Sequence, residues 1–165
     1  MADRLIYPNI GSKITSLYFA EDWIDSWYDH TNKVIVTTWF NLSTNIHYRK
    51  SYLAKLEAAK NYRPRALIID TSRAFGVPYP EDQRWLITTV FPEAKKLDLE
   101  CIINIFPKNS IAKTGVKTML DFGKKFNLPI IEKASLEDAL DFLKSNQQNS
   151  SLHGSPFLSC ASTNS

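Results

Sequence analysis

The chain has 165 residues, with 20 Lys and Arg against 17 Asp and Glu, a formal charge of +3. That length suits one domain, and 44% hydrophobic with 22% charged residues excludes a wholly disordered chain. Two cysteines and five scattered glycines exclude a disulfide scaffold, a cysteine-rich zinc module and the glycine-rich nucleotide cradles.

Residues 1–20 are mixed in character and are taken as an N-terminal extension. From Asp22 the chain alternates: Trp23, Asp25 and Trp27 fall on one face of a predicted strand, and Ile24, Ser26 and Tyr28 on the other. Asp29 to Asn32 is turn chemistry, and residues 33–40 (KVIVTTWF) supply a second, β-branched strand, so the two form a hairpin. Residues 44–62 switch to helical spacing, with Ile46, Leu53, Leu56 and Ala59 on one stripe and Ser43 as N-cap; Arg63-Pro64 ends the helix. Residues 65–70 (RALIID) read as a strand buried on both faces.

A loop from Thr71 to Tyr79 follows, and Pro80 opens a second helix whose positive end suits Glu81 and Asp82. Pro92 is expected to kink or split that helix, because it lacks an amide donor. Residues 101–106 (CIINIF) form the next buried strand. Asn109 or Ser110 caps a third helix reaching about Phe126, and residues 129–132 form the last strand. Ser135-Leu136-Glu137-Asp138 is a capping-box pattern, followed by Ala139, Leu140 and Leu143 on the same stripe as Leu136. Residues 146–165 carry no Asp, Glu, Lys or Arg and little apolar surface, and are expected to be a disordered tail.

The order β-β-α-β-α-β-α-β-α specifies an α/β domain over residues 21–145. Its mostly parallel sheet is made mixed by the hairpin, with about four helices. This order, together with Thr38-Trp39, Asp70 with Arg73, the run Pro80 to Trp85, and Phe91-Pro92, resembles the SpoIIAA-like fold and its STAS domains, most closely an uncharacterised bacterial branch. The resemblance implies a non-catalytic module that mediates protein–protein interaction in bacterial signalling, with partners docking near the second helix. In the sigma-regulating branch that helix opens on a phosphorylatable Ser in an Asp-Ser-Ser-Gly-like motif. Here Asp70-Thr71-Ser72-Arg73 lacks the Ser-Gly element, and Glu81 and Asp82 already place negative charge at the helix start. The switch is therefore expected to be locked or repurposed.

Ligands in open α/β sheets gather beyond the carboxyl ends of strands. That places the candidate binding residues at Asp70, Thr71, Ser72 and Arg73, with Gln83 and Trp85 nearby and Trp39 at the end of the hairpin. The competing role for Asp70 is local: capping its own turn and pairing with Arg73. A second function, from another class, is carriage of a small hydrophobic, lipid-like ligand in an apolar pocket beneath the helices. A third is acid/base catalysis by Asp70, for which no second catalytic group is identifiable.

His30, His47 and His153 lack metal-ligand spacing, so neither metal nor cofactor is expected. The basic residues concentrate on two helices. Residues 41–65 hold six basic residues against one acidic, and 108–125 hold five against one. Both read as solvated faces rather than a nucleic-acid footprint. Trp23 and Trp27 are expected to share a face without a helix over it, either as an exposed aromatic patch for a partner or ligand or packed against residues 1–20 or the tail. No run approaches the ~20 apolar residues of a membrane span, Met1 opens no signal-length apolar run, and the expected location is the cytoplasm.

Overall fold

The computed structural model describes residues 15–108 and 110–153, with side chains described for 21–108 and 110–147. Six strands form one sheet in the order β1 to β6. They are β1 (Thr15–Glu21), β2 (Ile24–Asp29), β3 (Val34–Trp39), β4 (Ala66–Asp70), β5 (Cys101–Ile105) and β6 (Ile130–Lys133). The pairings β1–β2 and β2–β3 are antiparallel, and the three that follow are parallel. The sheet is therefore mixed, as the hairpin implied, but it holds one strand more than expected. β1 lies in the segment taken as an extension. A register shift between Leu17 and Phe19 interrupts its pairing with β2, which breaks the two-residue alternation by which a strand is read from sequence.

The helices are α1 (Ile46–Tyr62), α2 (Pro80–Trp85), a π-helical turn (Leu86–Val90), α3 (Phe91–Ala94), α4 (Ser110–Lys125) and α5 (Leu136–His153). The break expected at Pro92 takes the form of this π turn just before it. Proline offers no amide to the preceding turn, and the Phe91 amide reaches back to the Leu86 carbonyl. π turns insert one residue into a helix. Amides at Val90 and Phe91 are accordingly expected to exchange with deuterium faster than those at the centre of α1, as a peptide-resolved exchange experiment will read.

α5 begins as its capping box requires, with the Asp138 amide donating to Ser135 Oγ at 3.1 Å. It then runs eight residues into the expected tail, to His153; the rest of that segment lies outside the described residues, as do Asn109 and Cys160.

Strand order follows chain order through the parallel half, and right-handed crossovers that always step the same way place their helices on one face. Accordingly Tyr28, Ile35, Leu67 and Ile102 pack with α1, the π turn, α3 and α4. Val34, Val36, Ala66, Ile68, Cys101, Ile103 and Ile105 pack on the other face with Ala139, Leu140 and Leu143 of α5. This also answers how the basic helices sit: α1 and α4 lie on the same face.

Three expectations about side chains are corrected. In α1, Ile46 and Leu53 are 70% and 52% exposed, whereas Tyr48, Ser51, Lys55, Leu56, Ala58 and Ala59 are buried. Leu56 and Ala59 are buried as their spacing predicts, Ile46 and Leu53 are not, and Tyr48, Ser51, Lys55 and Ala58 complete the buried stripe. The helix has no side-chain N-cap: Asn45 holds that position, and Ser43 Oγ accepts instead from the Val77 amide at 3.2 Å. Trp23 and Trp27 do not share a face. β2 starts at Ile24, so Trp23 lies in the preceding turn. Its indole donates to Ser51 Oγ at 3.2 Å and packs on the His47 ring, while Trp27 packs on the α5 side.

A cavity walled by aromatics around Lys55

Beneath the helices of the crowded face lies a cavity of about 80 Å³. Its floor is the inward row of four strands: Trp39 at the end of β3, Leu67 and Ile69 of β4, Ile102 and Asn104 of β5, and Ile130 of β6. α1 contributes Tyr48, Tyr52, Lys55 and Ala59; the π turn and α3 contribute Leu86, Val90 and Ala94; α4 contributes Val116, Met119 and Leu120. The walls are almost wholly apolar.

Three of these residues, Trp39, Lys55 and Asn104, also carry a buried nitrogen (Nε1, Nζ and Nδ2) with no hydrogen-bond partner among the described residues. The residues are 0%, 4% and 1% exposed. A buried donor left without an acceptor costs about 1–3 kcal/mol, and native proteins carry few of them.

Lys55 is the centre of this arrangement. Its Nζ lies 4.3 Å from the Tyr52 ring centroid and 5.5 Å from that of Trp39. Trp39, Tyr48 and Tyr52 pack against one another with centroids 4.9–5.6 Å apart. The ring faces favour a cation, but burial removes the water an ammonium needs. Desolvation wins, and the Lys55 amine is lowered from 10.5 to about 7. Burial acts the other way on the phenols: Tyr48 is raised well above its ordinary value and Tyr52 is raised as well. At neutral pH the cavity therefore holds protonated tyrosines beside an amine that is part free base.

The residues singled out at the end of β4 divide. Trp39 and Thr71 line the cavity, although Thr71 Oγ1 is committed to the Ile105 carbonyl at 2.6 Å. Asp70 is buried, and its Oδ1 accepts from the Ser72 amide at 2.8 Å, which is the local turn role. The Arg73 guanidinium lies 4.9 Å from the Phe40 ring centroid. Gln83 Nε2 donates to the Pro78 carbonyl at 2.8 Å, and Trp85 sits half-buried 5.7 Å from the Arg49 guanidinium. These four side chains do not converge on a cleft. The physical reason is the uniform strand order. A crevice at the carboxyl edge opens where successive crossovers diverge to opposite faces, and here none diverges.

The β4–α2 loop is held by Gly76 at φ 73, where a side chain would collide with Ser43 Oγ. Beyond it, Asp82 is fully buried and pairs through Oδ1 with Arg49 Nε at 2.6 Å, joining α2 to α1.

Reading the sequence alone missed Lys55, Asn104, Tyr48, Tyr52 and Asp82. The available signal was the spacing Tyr48, Tyr52, Lys55, Leu56 and Ala59, which is one helical face with a lysine on it. Asn104 is an amide in the middle of an otherwise apolar strand.

The basic clusters are also less free than their charges suggest. Lys50, Lys60 and Arg65 pair with Glu21, Glu93 and Glu100, and Lys124 with Glu132. Among the described residues no group of three or more His, Cys, Asp or Glu is placed to hold a metal ion, and no helix is long and apolar enough to cross a membrane. Comparison of the chain with protein-family models, with curated proteins and with solved structures returns no match.

Proposed function

We propose that this domain is a non-catalytic carrier or sensor of a small, mainly apolar molecule that bears a hydrogen-bond acceptor. The observation that carries this reading is the apolar cavity, three of whose lining residues hold a buried donor without a partner. The donors orient the polar end, and the aliphatic walls take the rest.

Size narrows the ligand. A cavity of ~150 Å³ accepts benzene, so about 80 Å³ suits roughly three or four non-hydrogen atoms. A long acyl chain does not fit, and the lipid-like ligand expected from the sequence becomes a short-chain one. With a ceiling of ~1.5 kcal/mol per atom, four atoms give at best about 6 kcal/mol, a Kd of roughly 40 µM.

Propanone and acetate, each of four non-hydrogen atoms, are suitable probes. Titration is expected to shift the NMR signals of the Trp39 indole and Asn104 amide. Ala94→Leu, which fills the cavity from α3, is expected to abolish those shifts while leaving the fold intact. Unchanged shifts in that variant reject the cavity as the binding site.

One observation favours a second reading, docking of a partner protein near α2 as the STAS resemblance implies: Phe75 and Tyr79, just before that helix, are 59% and 44% exposed. Tyr79→Ser is then expected to remove a defined cross-linked partner without altering propanone binding. A partner retained by that variant removes the support.

A further inference from the structure

We infer that Lys55 captures its ligand covalently and reversibly, as an imine with a short-chain aldehyde or ketone bound in the cavity. This deepens the carrier reading and rests on it.

The geometry supplies the parts in one place. Lys55 lines the cavity, and its buried Nζ has no hydrogen bond to hold it. It has no carboxylate partner among the described residues. A lysine desolvated in a hydrophobic pocket keeps a free lone pair at neutral pH and is the kind that forms Schiff bases; burial lowers this one to about 7.

Asn104 and Trp39 line the same cavity, and their Nδ2 and Nε1 are buried donors without acceptors. Donors of this kind stabilise negative charge that develops on a carbonyl oxygen under attack. The Tyr52 and Trp39 rings beside Nζ favour the protonated imine by the same cation–π attraction they offer the ammonium.

The step balances without an oxidant or reductant. The Nζ lone pair forms a bond to the carbonyl carbon, and the carbon–oxygen π pair moves onto oxygen. One amine proton passes to that oxygen, giving a carbinolamine. The hydroxyl then departs with the second amine proton as water, and the nitrogen lone pair closes the carbon–nitrogen double bond. Protonation of the imine takes one further proton from solvent. Hydrolysis reverses every step, so the ligand is released unchanged. An acid of the same size, by contrast, is held only as an ion pair with the Lys55 ammonium.

The test uses the full chain and propanal as probe. Protein is incubated with propanal at neutral pH and the imine is trapped with cyanoborohydride. Intact mass then counts the adducts, and peptide mapping places them. Lys55 is expected to be labelled at least about tenfold faster than the exposed Lys108 and Lys117, because an exposed lysine is almost wholly protonated at that pH. Lys55→Met is expected to lose the fast adduct, and Ala94→Leu to slow it to the surface rate. Equal labelling of Lys55 and the surface lysines overturns the inference, as does fast labelling that survives Ala94→Leu.

Propanone and acetate titrations of the untreated protein separate the two proposals. NMR shifts at Trp39 and Asn104 without a Lys55 adduct leave the carrier reading standing and remove the covalent step. Absence of both removes both.

Discussion

Replacing Arg49 with Ala is expected to destabilise the protein by about 3–5 kcal/mol, a loss typical of breaking a buried ion pair from one side. The asymmetry of the pair sets the magnitude. The Arg49 side chain is 36% exposed and can return to water, but the Asp82 side chain is at 0%. Its Oδ1 depends on Arg49, and its Oδ2 has no partner among the described residues. Without the guanidinium a carboxylate stays buried uncompensated.

For a chain of this size, each kcal/mol moves the midpoint by about 2–4 °C, so a fall in Tm of about 10 °C is expected in a thermal melt. The double variant Arg49→Met with Asp82→Leu removes both charges and is expected to recover most of the loss. If Arg49→Ala alone melts within about 2 °C of the parent, the pair is not a structural tie between α1 and α2.

Lys55→Met is expected to have the opposite sign, raising stability at pH 7 by about 1–3 kcal/mol, since an unpartnered buried amine gives way to an apolar chain of similar length. The pH dependence identifies the cause. The folded amine is at about 7 and the ordinary value is 10.5. Below pH 7 both folded and unfolded chains hold the proton and stability does not change with pH on this account. Between about 7 and 10.5 the unfolded chain binds the proton and the folded chain does not, so stability rises with pH. From pH 7 to pH 9 the parent is expected to gain about 2 kcal/mol in denaturant melts, and Lys55→Met to lack that gain.

Above the ordinary tyrosine range the trend reverses. Tyr48 and Tyr52 are raised in the fold, so the unfolded chain ionises first and stability falls. A Lys55→Met variant with the parent's slope between pH 7 and 9 assigns the titration to another group. A destabilised variant overturns the view that this lysine costs the fold free energy.

That cost links the stability argument to function. Sites that bind or react are commonly held at the expense of stability, and here the same substitution is expected to strengthen the fold while removing the amine through which we propose a ligand is held.

Much of the α/β frame was readable from sequence, because it rests on local rules. Apolar runs bounded by Pro and turn residues gave β4, β5 and β6, and Ser135 with Asp138 fixed the start of α5. The site was not readable by the same rules, and the reasons are specific. β1 carries a register shift that spoils its alternation. Lys55 is of a type nearly always solvated, so it was counted with the basic face of α1, while Ile46 and Leu53 were assigned to the core that Lys55 in fact shares. Asn104 was hidden by its apolar neighbours. In each case tertiary packing overrode the preference of the residue type. Asp70, by contrast, has the residue type that suggests chemistry, and its side chain is occupied in shaping its own turn.

The π turn between α2 and α3 forms part of the cavity: Leu86 and Val90, its first and last residues, are both cavity wall. The shape of that wall therefore depends on a helical segment with one residue in excess of the α pattern, and removing that residue would rotate Leu86 and Val90 out of register with each other.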